Sequence, residues 1–229
     1  MNNLEALLEN WRTERIPETI ANRTRRVYDL LSRVYPISSN LFHSKAHAIA
    51  MDMSGLSDRT RVLEIATGSG ELFSRIAEKN PNGLNVGIDL SPAMAAVTLS
   101  RIRAKHPDVN CGLKAVDARQ MPFRDGSFDT VFCCYLLELL ASNDIVRLLH
   151  EVQRILRPGG KFAVILIGQN KAYFNTAYRF ASKAVPAFWG QQMEQRAQML
   201  FENCGFRMIE ERHSVQTLYP SRIVLVERR

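Results

Sequence analysis

An α/β fold built on a mostly parallel sheet is what this 229-residue sequence predicts, and three stretches carry the prediction. Residues 61–66 (Arg-Val-Leu-Glu-Ile-Ala) are a short apolar run with one acid inside it, the pattern of a strand covered on both faces. Thr67, Gly68, Ser69 and Gly70 break the run. Leu72, Phe73, Ile76 and Ala77 then recur at helical spacing, so the stretch reads strand, glycine turn, helix. A second strand over residues 84–88 ends in Asp89, and Ser91-Pro92 supplies a cap and a first-turn proline for the next helix. Finally, a helix over 143–156 carries Ile145, Leu148, Leu149, Val152, Ile155 and Leu156 on one face. It stops at Arg157-Pro158-Gly159-Gly160-Lys161, before the apolar run 162–167.

Helices precede this alternation. Leu4, Leu7, Leu8 and Trp11 share a helical face, and Pro17-Glu18 opens a second segment through Val27, Leu30, Leu31 and Val34 that Pro36 ends. A third helix spans 40–53 with Phe42, Ala46, Ile49, Ala50 and Met53 inward. These helices brace the sheet or cover its ligand edge, so residues 1–60 read as a helical cap and 61–229 as the main domain. A third strand covers 109–116 and ends at Asp117-Ala118; a fourth runs from Phe128 through Cys134, with Asp129 at its entry end in a structural role. Residues 168–188 are aromatic, with Tyr173, Phe174 and Tyr178 among Lys171, Arg179 and Lys183. They read as an amphipathic helix on the core, or as an acceptor lid or membrane-touching surface. A helix over 191–203, stopped by Cys204-Gly205, and strands over 206–213 and 222–227 close the chain.

Composition narrows the function classes. The length suits one α/β domain with a full core. A net charge of +7 permits contact with an anionic surface, but no run of like charge resembles a nucleic-acid-binding arm, so nucleic acid is not the expected partner. Cys111, Cys133, Cys134 and Cys204 form no C-x-x-C pair and no metal spacing with histidines, so no metal is expected and a reduced, cytoplasmic setting fits. The acidic N-terminal residues do not look like a signal peptide. The longest apolar stretch, 162–167, is far too short to span a bilayer, so membrane contact would be peripheral. Oligomeric state is not legible.

Four positions carry the chemistry. Glu64, in an apolar strand, needs a donor or a cation. Gly68 and Gly70 let the backbone turn tightly and approach a ligand where a Cβ would collide. Asp89, about twenty positions past the turn at a neighbouring strand tip, can accept both hydroxyls of an adenosine ribose.

Residues 61–71, RVLEIATGSGE, resemble motif I of the Rossmann-like, class I S-adenosylmethionine-dependent methyltransferases, with Ala66 where that family usually has its first glycine. Leu90-Ser91-Pro92-Ala93-Met94 resembles the turn after the family's ribose carboxylate, Asp117-Ala118 its adenine-reading pair, and Leu156-Arg157-Pro158-Gly159-Gly160 its motif III. The likeness runs from Val62 to the C-terminus. Ahead of it, Tyr28-Asp29-Leu30 resembles an element of the methyltransferase type 11, quinone-biosynthesis group.

The resemblance implies a three-layer αβα sandwich on a seven-stranded sheet with an antiparallel last strand. It also implies S-adenosylmethionine as cofactor and S-adenosylhomocysteine as product. Cofactor contacts are expected at Glu64, Ala66, Thr67, Gly68, Ser69, Gly70, Asp89, Leu90, Met94, Asp117, Ala118, Arg119, Cys134 and Tyr135. Base-methylating enzymes often carry Asn or Asp before Pro-Pro-aromatic at the exit of strand four. This chain has Cys134-Tyr135-Leu136-Leu137-Glu138, which favours a small-molecule or lipid-like acceptor. Acceptor-site candidates are Tyr28, Tyr35, His43, Tyr135, Glu138 and Tyr173; no general base stands out, since His43, His47, His150 and His213 share no motif. Two alternatives remain at this level. An NAD-dependent oxidoreductase would share the turn and Asp89 but lacks a third glycine here, and a non-catalytic protein could keep the cofactor pocket without transferring a methyl group.

Overall fold

A computed structural model of the protein describes residues 35–168, 197–217 and 219–229. The first two predicted helices, Tyr28 and Tyr173 lie outside the described residues. In chain order the elements are α1 (Tyr35–Ser54), β1 (Arg61–Ile65), α2 (Glu71–Lys79), β2 (Leu84–Asp89), α3 (Pro92–Lys105), β3 (Cys111–Ala115) and β4 (Phe128–Cys134). A short 3-10 turn (Leu137–Leu139), α4 (Ser142–Ile155), β5 (Leu156–Ile167), α5 (Ala197–Asn203), β6 (Phe206–Gln216) and β7 (Tyr219–Arg228) follow.

The strands form one seven-stranded sheet in the order β3-β2-β1-β4-β5-β7-β6. β1 to β5 pair in parallel, whereas β7 is antiparallel to both β5 and β6. The chain builds outward from β1 through β2 to β3, then returns to lay β4 on β1's other side. The carboxyl ends of β1 and β4 therefore splay apart at a switch point, where open α/β sheets bind ligands.

Helices cover both faces. On one, Ile145, Leu148, Leu149 and Val152 of α4 and Phe201 of α5 pack on Leu63, Val131, Phe162 and Val164. On the other, Ala46, Ala50 and Met53 of α1 and Leu72 and Ile76 of α2 pack on Val62, Phe132, Ala163 and Leu225. Strand alternation puts Glu64 on the second face with Val62, under α1 and α2. Among the described residues no helix is long and apolar enough to cross a membrane.

Several boundaries differ from the sequence reading. Pro36 was expected to end a helix, but it sits in the first turn of α1, where its missing N–H needs no partner. β3 is shorter than expected and the two final strands are longer. β5 begins at Leu156 because Leu156 pairs with Phe128 and Lys161 with Thr130, so residues 157–160 bulge out opposite Asp129 alone. Gly159 takes φ 71° within that bulge. Asp129 secures it: its carboxylate accepts from the Arg61 amide at 2.7 Å and meets Arg157 Nε at 2.7 Å, the structural role expected for it.

Candidate functional site

The turn after β1 is built from alternating left-handed residues: Ala66, Gly68 and Gly70 have φ of 59°, 51° and 75°. An L side chain is disfavoured in this region by its own Cβ, which explains glycine at two of the three positions and makes Ala66 a strained exception. The turn is tied down on every side. Ala66 N donates to Ile88 O at 2.8 Å, Thr98 Oγ1 to Gly68 O at 2.9 Å and Arg101 to Ser69 O at 2.7 Å. Packing restricts the glycines further, since a Cβ on Gly70 would lie 2.6 Å from Thr98 Cγ2 and one on Gly87 would lie 2.8 Å from Thr67 Cγ2.

A cavity opens above this turn at the carboxyl ends of β1, β2 and β4. Ala66, Thr67, Gly68 and Ser69 line its floor, together with Glu64. Asp89, Leu90 and Met94 line it from the β2 side, Asp117, Ala118 and Arg119 from beyond β3, and Cys134 and Tyr135 from β4. Gly70 is the one expected cofactor residue outside the lining; it starts α2 from behind the turn.

The two strand-tip acids are held differently. Asp89 bridges the loops, its Oδ2 accepting from Gly68 N and its Oδ1 from Ser91 N, both at 2.9 Å. Ser91 caps α3 by accepting from Met94 N, so Asp89 is not needed as the helix cap. The Asp117 carboxylate accepts from the Arg119 amide at 2.9 Å and from its guanidinium at 2.6 Å, and Arg119 reaches on to Asp144 at 3.0 Å. Partial burial would raise the Asp117 carboxyl, but the Arg119 hydrogen bonds and charge outweigh it and hold it below the usual range.

The opposite wall is aromatic. Tyr135 has φ 53°, its amide donates to Ile165 O at 2.8 Å, and its hydroxyl lies 2.7 Å from Ser221 Oγ of β7. The His43 ring from α1 stacks 4.4 Å from it, with Tyr219 at 5.2 Å from His43. Leu136, Leu139 and Leu140 continue the wall as apolar surface. His47, one helical turn past His43, also lines the cavity.

Burial governs the electrostatics here. It lowers His43 to about 4, and with help from the charges of His43 and Arg75 it lowers His47 to about 3, so both rings are neutral near pH 7. It raises Glu64 well above the carboxylate range, reinforced by Asp89 and Glu71. Of the acceptor-site candidates, His43 and Tyr135 face the cavity and Tyr35 lies in the first turn of α1. Glu138 does not line the cavity. It is buried behind the exit loop, where its Oε1 accepts from Ile167 N at 2.6 Å.

The sequence model of the family described as "Methyltransferase domain" matches residues 62–160. A demethylmenaquinone methyltransferase of Thermus thermophilus is 31% identical over 164 residues, which is 71% of this chain and 71% of that protein. The chain belongs to the class I S-adenosylmethionine-dependent methyltransferases. A ubiquinone/menaquinone biosynthesis C-methyltransferase of Geobacter is 29% identical over 139 residues, 60% of this chain and 57% of that protein. Among solved structures, the [4+2]-cyclase SpnF superposes with a TM-score of 0.76 at 15% identity, covering 94% of this chain and 99% of that one. That last likeness shows the fold alone, which hosts more than one chemistry. Family membership decides for a methyltransferase enzyme using S-adenosylmethionine, over both alternatives left open by the sequence.

The cavity fits this family's cofactor on its own terms. Glu64, Glu71 and Asp89 gather acids where a sulfonium and an ammonium would enter. Glu64 Oε2, Thr67 Oγ1 and His47 Nδ1 are buried without a hydrogen-bond partner among the described residues. Sequence reasoning missed His47, Glu71, Tyr219 and Ser221. The i, i+4 spacing of His43 and His47 was a usable signal for one shared helical face. Nothing local marked Tyr219 and Ser221, which reach the site only because β7 inserts beside β5.

Proposed function

We propose that this methyltransferase methylates a carbon of a reduced, quinone-type aromatic ring. The bound cofactor supplies a methyl carbon already activated toward a nucleophile by its sulfonium. The protein's task is to hold that carbon and an electron-rich ring in line while excluding water. Asp89 is assigned to the ribose hydroxyls, Asp117 with the Ala118 amide to the adenine, and Glu64 to the ammonium of the methionine half. Arg119 would then set the Asp117 carboxylate without reading the base itself.

The observation that carries the acceptor reading is the ring contact of His43 with Tyr135, centroids 4.4 Å apart and tilted 35°, beside Leu136, Leu139 and Leu140 in the same cavity. A planar aromatic ring matches that wall by stacking and apolar contact. Two uncharged imidazoles add no cation beside a site meant for a sulfonium. The names of the Thermus and Geobacter relatives, both acting in quinone biosynthesis, support the same class. Residues 1–60 act as a cap on the catalytic domain 61–229 in this reading, with α1 both bracing the sheet and facing the ligand. A lipidic quinol would bring the enzyme into peripheral contact with a membrane, which sedimentation with quinol-loaded vesicles checks.

The deciding experiment incubates the protein anaerobically with S-adenosylmethionine and a 1,4-naphthalenediol bearing a short prenyl chain. A ring-methylated product matching S-adenosylhomocysteine one to one is expected. Cofactor binding without any quinol-dependent turnover would sink the acceptor assignment.

A further inference from the structure

Six buried side-chain polar atoms lack a hydrogen-bond partner among the described residues, and three of them belong to residues lining the cavity at the carboxyl ends of β1, β2 and β4: His47 Nδ1, Glu64 Oε2 and Thr67 Oγ1. Orphaned polar atoms are rare in folded proteins because each forfeits the hydrogen bond it had in water. Three on one cavity mark a place shaped for a polar ligand. His47 is only 5% exposed. Its α1 neighbours Ala46 and Ala50 offer no acceptor side chain, and Glu71 Oε1 stands 4.0 Å off, beyond hydrogen-bond reach and already meeting Arg75 at 3.2 Å.

The three atoms are chemically sorted. Glu64 offers an acceptor once a bound cation keeps it ionised, the Thr67 hydroxyl can donate, and a neutral imidazole offers one N–H, which one tautomer carries on Nδ1. One acceptor with two donors is the complement of an α-amino acid zwitterion, whose ammonium needs the first and whose carboxylate needs the other two. Glu71, opening α2 beside His47, adds a second acid on the ammonium side. Elsewhere on the lining, the Arg119 guanidinium is spent on Asp117 and Asp144, and the Tyr135 hydroxyl shares a hydrogen bond with Ser221.

We infer that His47, together with Thr67 Oγ1, holds the α-carboxylate of the cofactor's methionine half, making α1 a selectivity element that tells S-adenosylmethionine and S-adenosylhomocysteine from adenosine thioethers without an amino acid. This rests on the methyltransferase reading. It adds a discriminating residue from outside the glycine-turn motif, supplied by the segment that precedes the sheet.

Calorimetry on the full chain with S-adenosylhomocysteine and with methylthioadenosine, which lacks the amino-acid half, tests the assignment. In His47→Ala, affinity for S-adenosylhomocysteine should fall ten- to a hundredfold while that for methylthioadenosine stays within twofold. His47→Gln keeps an N–H donor and should recover most of the loss. Thr67→Val keeps the branched shape against Gly87 and should cost S-adenosylhomocysteine several-fold, again sparing methylthioadenosine. Unchanged methylthioadenosine binding also certifies that each variant is folded. Equal weakening of both ligands, or no weakening of either, overturns the role of His47. If neither ligand binds the unsubstituted protein, the cofactor reading beneath it fails instead.

Discussion

The two ends of the cavity are made in opposite ways. At the β2 and β3 end, Asp89 and Asp117 are held in place by protein donors: the first bridges two loops through backbone amides, the second is clamped by Arg119. Every partner there lies within about one βα unit of its acid. At the α1 and β4 end, His43 meets Tyr135 and Tyr219 across the whole chain, and His47, Glu64 and Thr67 keep buried atoms unpaired. The first end is a preorganised receptor. The second holds unrelieved desolvation that a ligand, or a substitution, can release.

The largest expected effect breaks the preorganised end. Asp89→Ala removes the carboxylate assigned to the ribose and also frees the Gly68 and Ser91 amides, so cofactor affinity should drop more than a hundredfold by calorimetry. Retained affinity would show that the turn, not the acid, dominates binding.

Next comes a buried charge behind the second end. Burial raises Glu138 from its ordinary 4.5 to about 7, against smaller lowering by the Ile167 amide. Below about pH 4.5 the folded and unfolded chains both hold this proton, and the group costs nothing. Between there and about pH 7 only the folded chain holds it, so stability falls as pH rises; above pH 7 a deficit of about 3 kcal/mol remains. Glu138→Gln keeps an oxygen for the Ile167 amide and should therefore raise the melting temperature by several degrees at pH 8 and by almost nothing near pH 4.5. An equal gain at both pH values would refute a buried ionisation.

Smaller effects sharpen the contrast. Tyr135→Phe removes the 2.7 Å contact with Ser221 and should cost about 1 kcal/mol of stability and several-fold in quinol turnover, with cofactor affinity unchanged. A matching loss of cofactor affinity would merge the two ends into one unit. Ala66→Gly relieves a left-handed alanine at φ 59° and should stabilise the protein by up to about 1 kcal/mol in chemical denaturation, since the native conformation suits glycine. A destabilised variant would mean that the Ala66 methyl's packing outweighs its strain.

These contrasts also explain what could be read ahead of the structure. The glycine turn, the acids at strand tips and the Pro-Gly-Gly bulge all act through neighbours close in sequence, so their residue types and spacing announced them. Glu138 misled for the same reason. It stands next to Tyr135 in the exit loop, which suggested a shared face, but the 3-10 turn rotates it beneath β5 and away from the cavity. His47 was passed over because its i, i+4 spacing from His43 marks only a shared helical face and not what that face meets. Its meaning depends on α1 lying against the first turn of α2.

The sequence by itself determined the α/β alternation, the switch point at β1 and the acids at the strand tips, because hydrophobic period, turn chemistry and fixed offsets along the chain encode them locally. Only the tertiary structure decided which groups meet at the α1 and β4 end of the cavity. Those contacts join α1, the β4 exit and β7, elements up to 176 positions apart that meet only when β7 inserts antiparallel beside β5, and no local pattern records such a meeting.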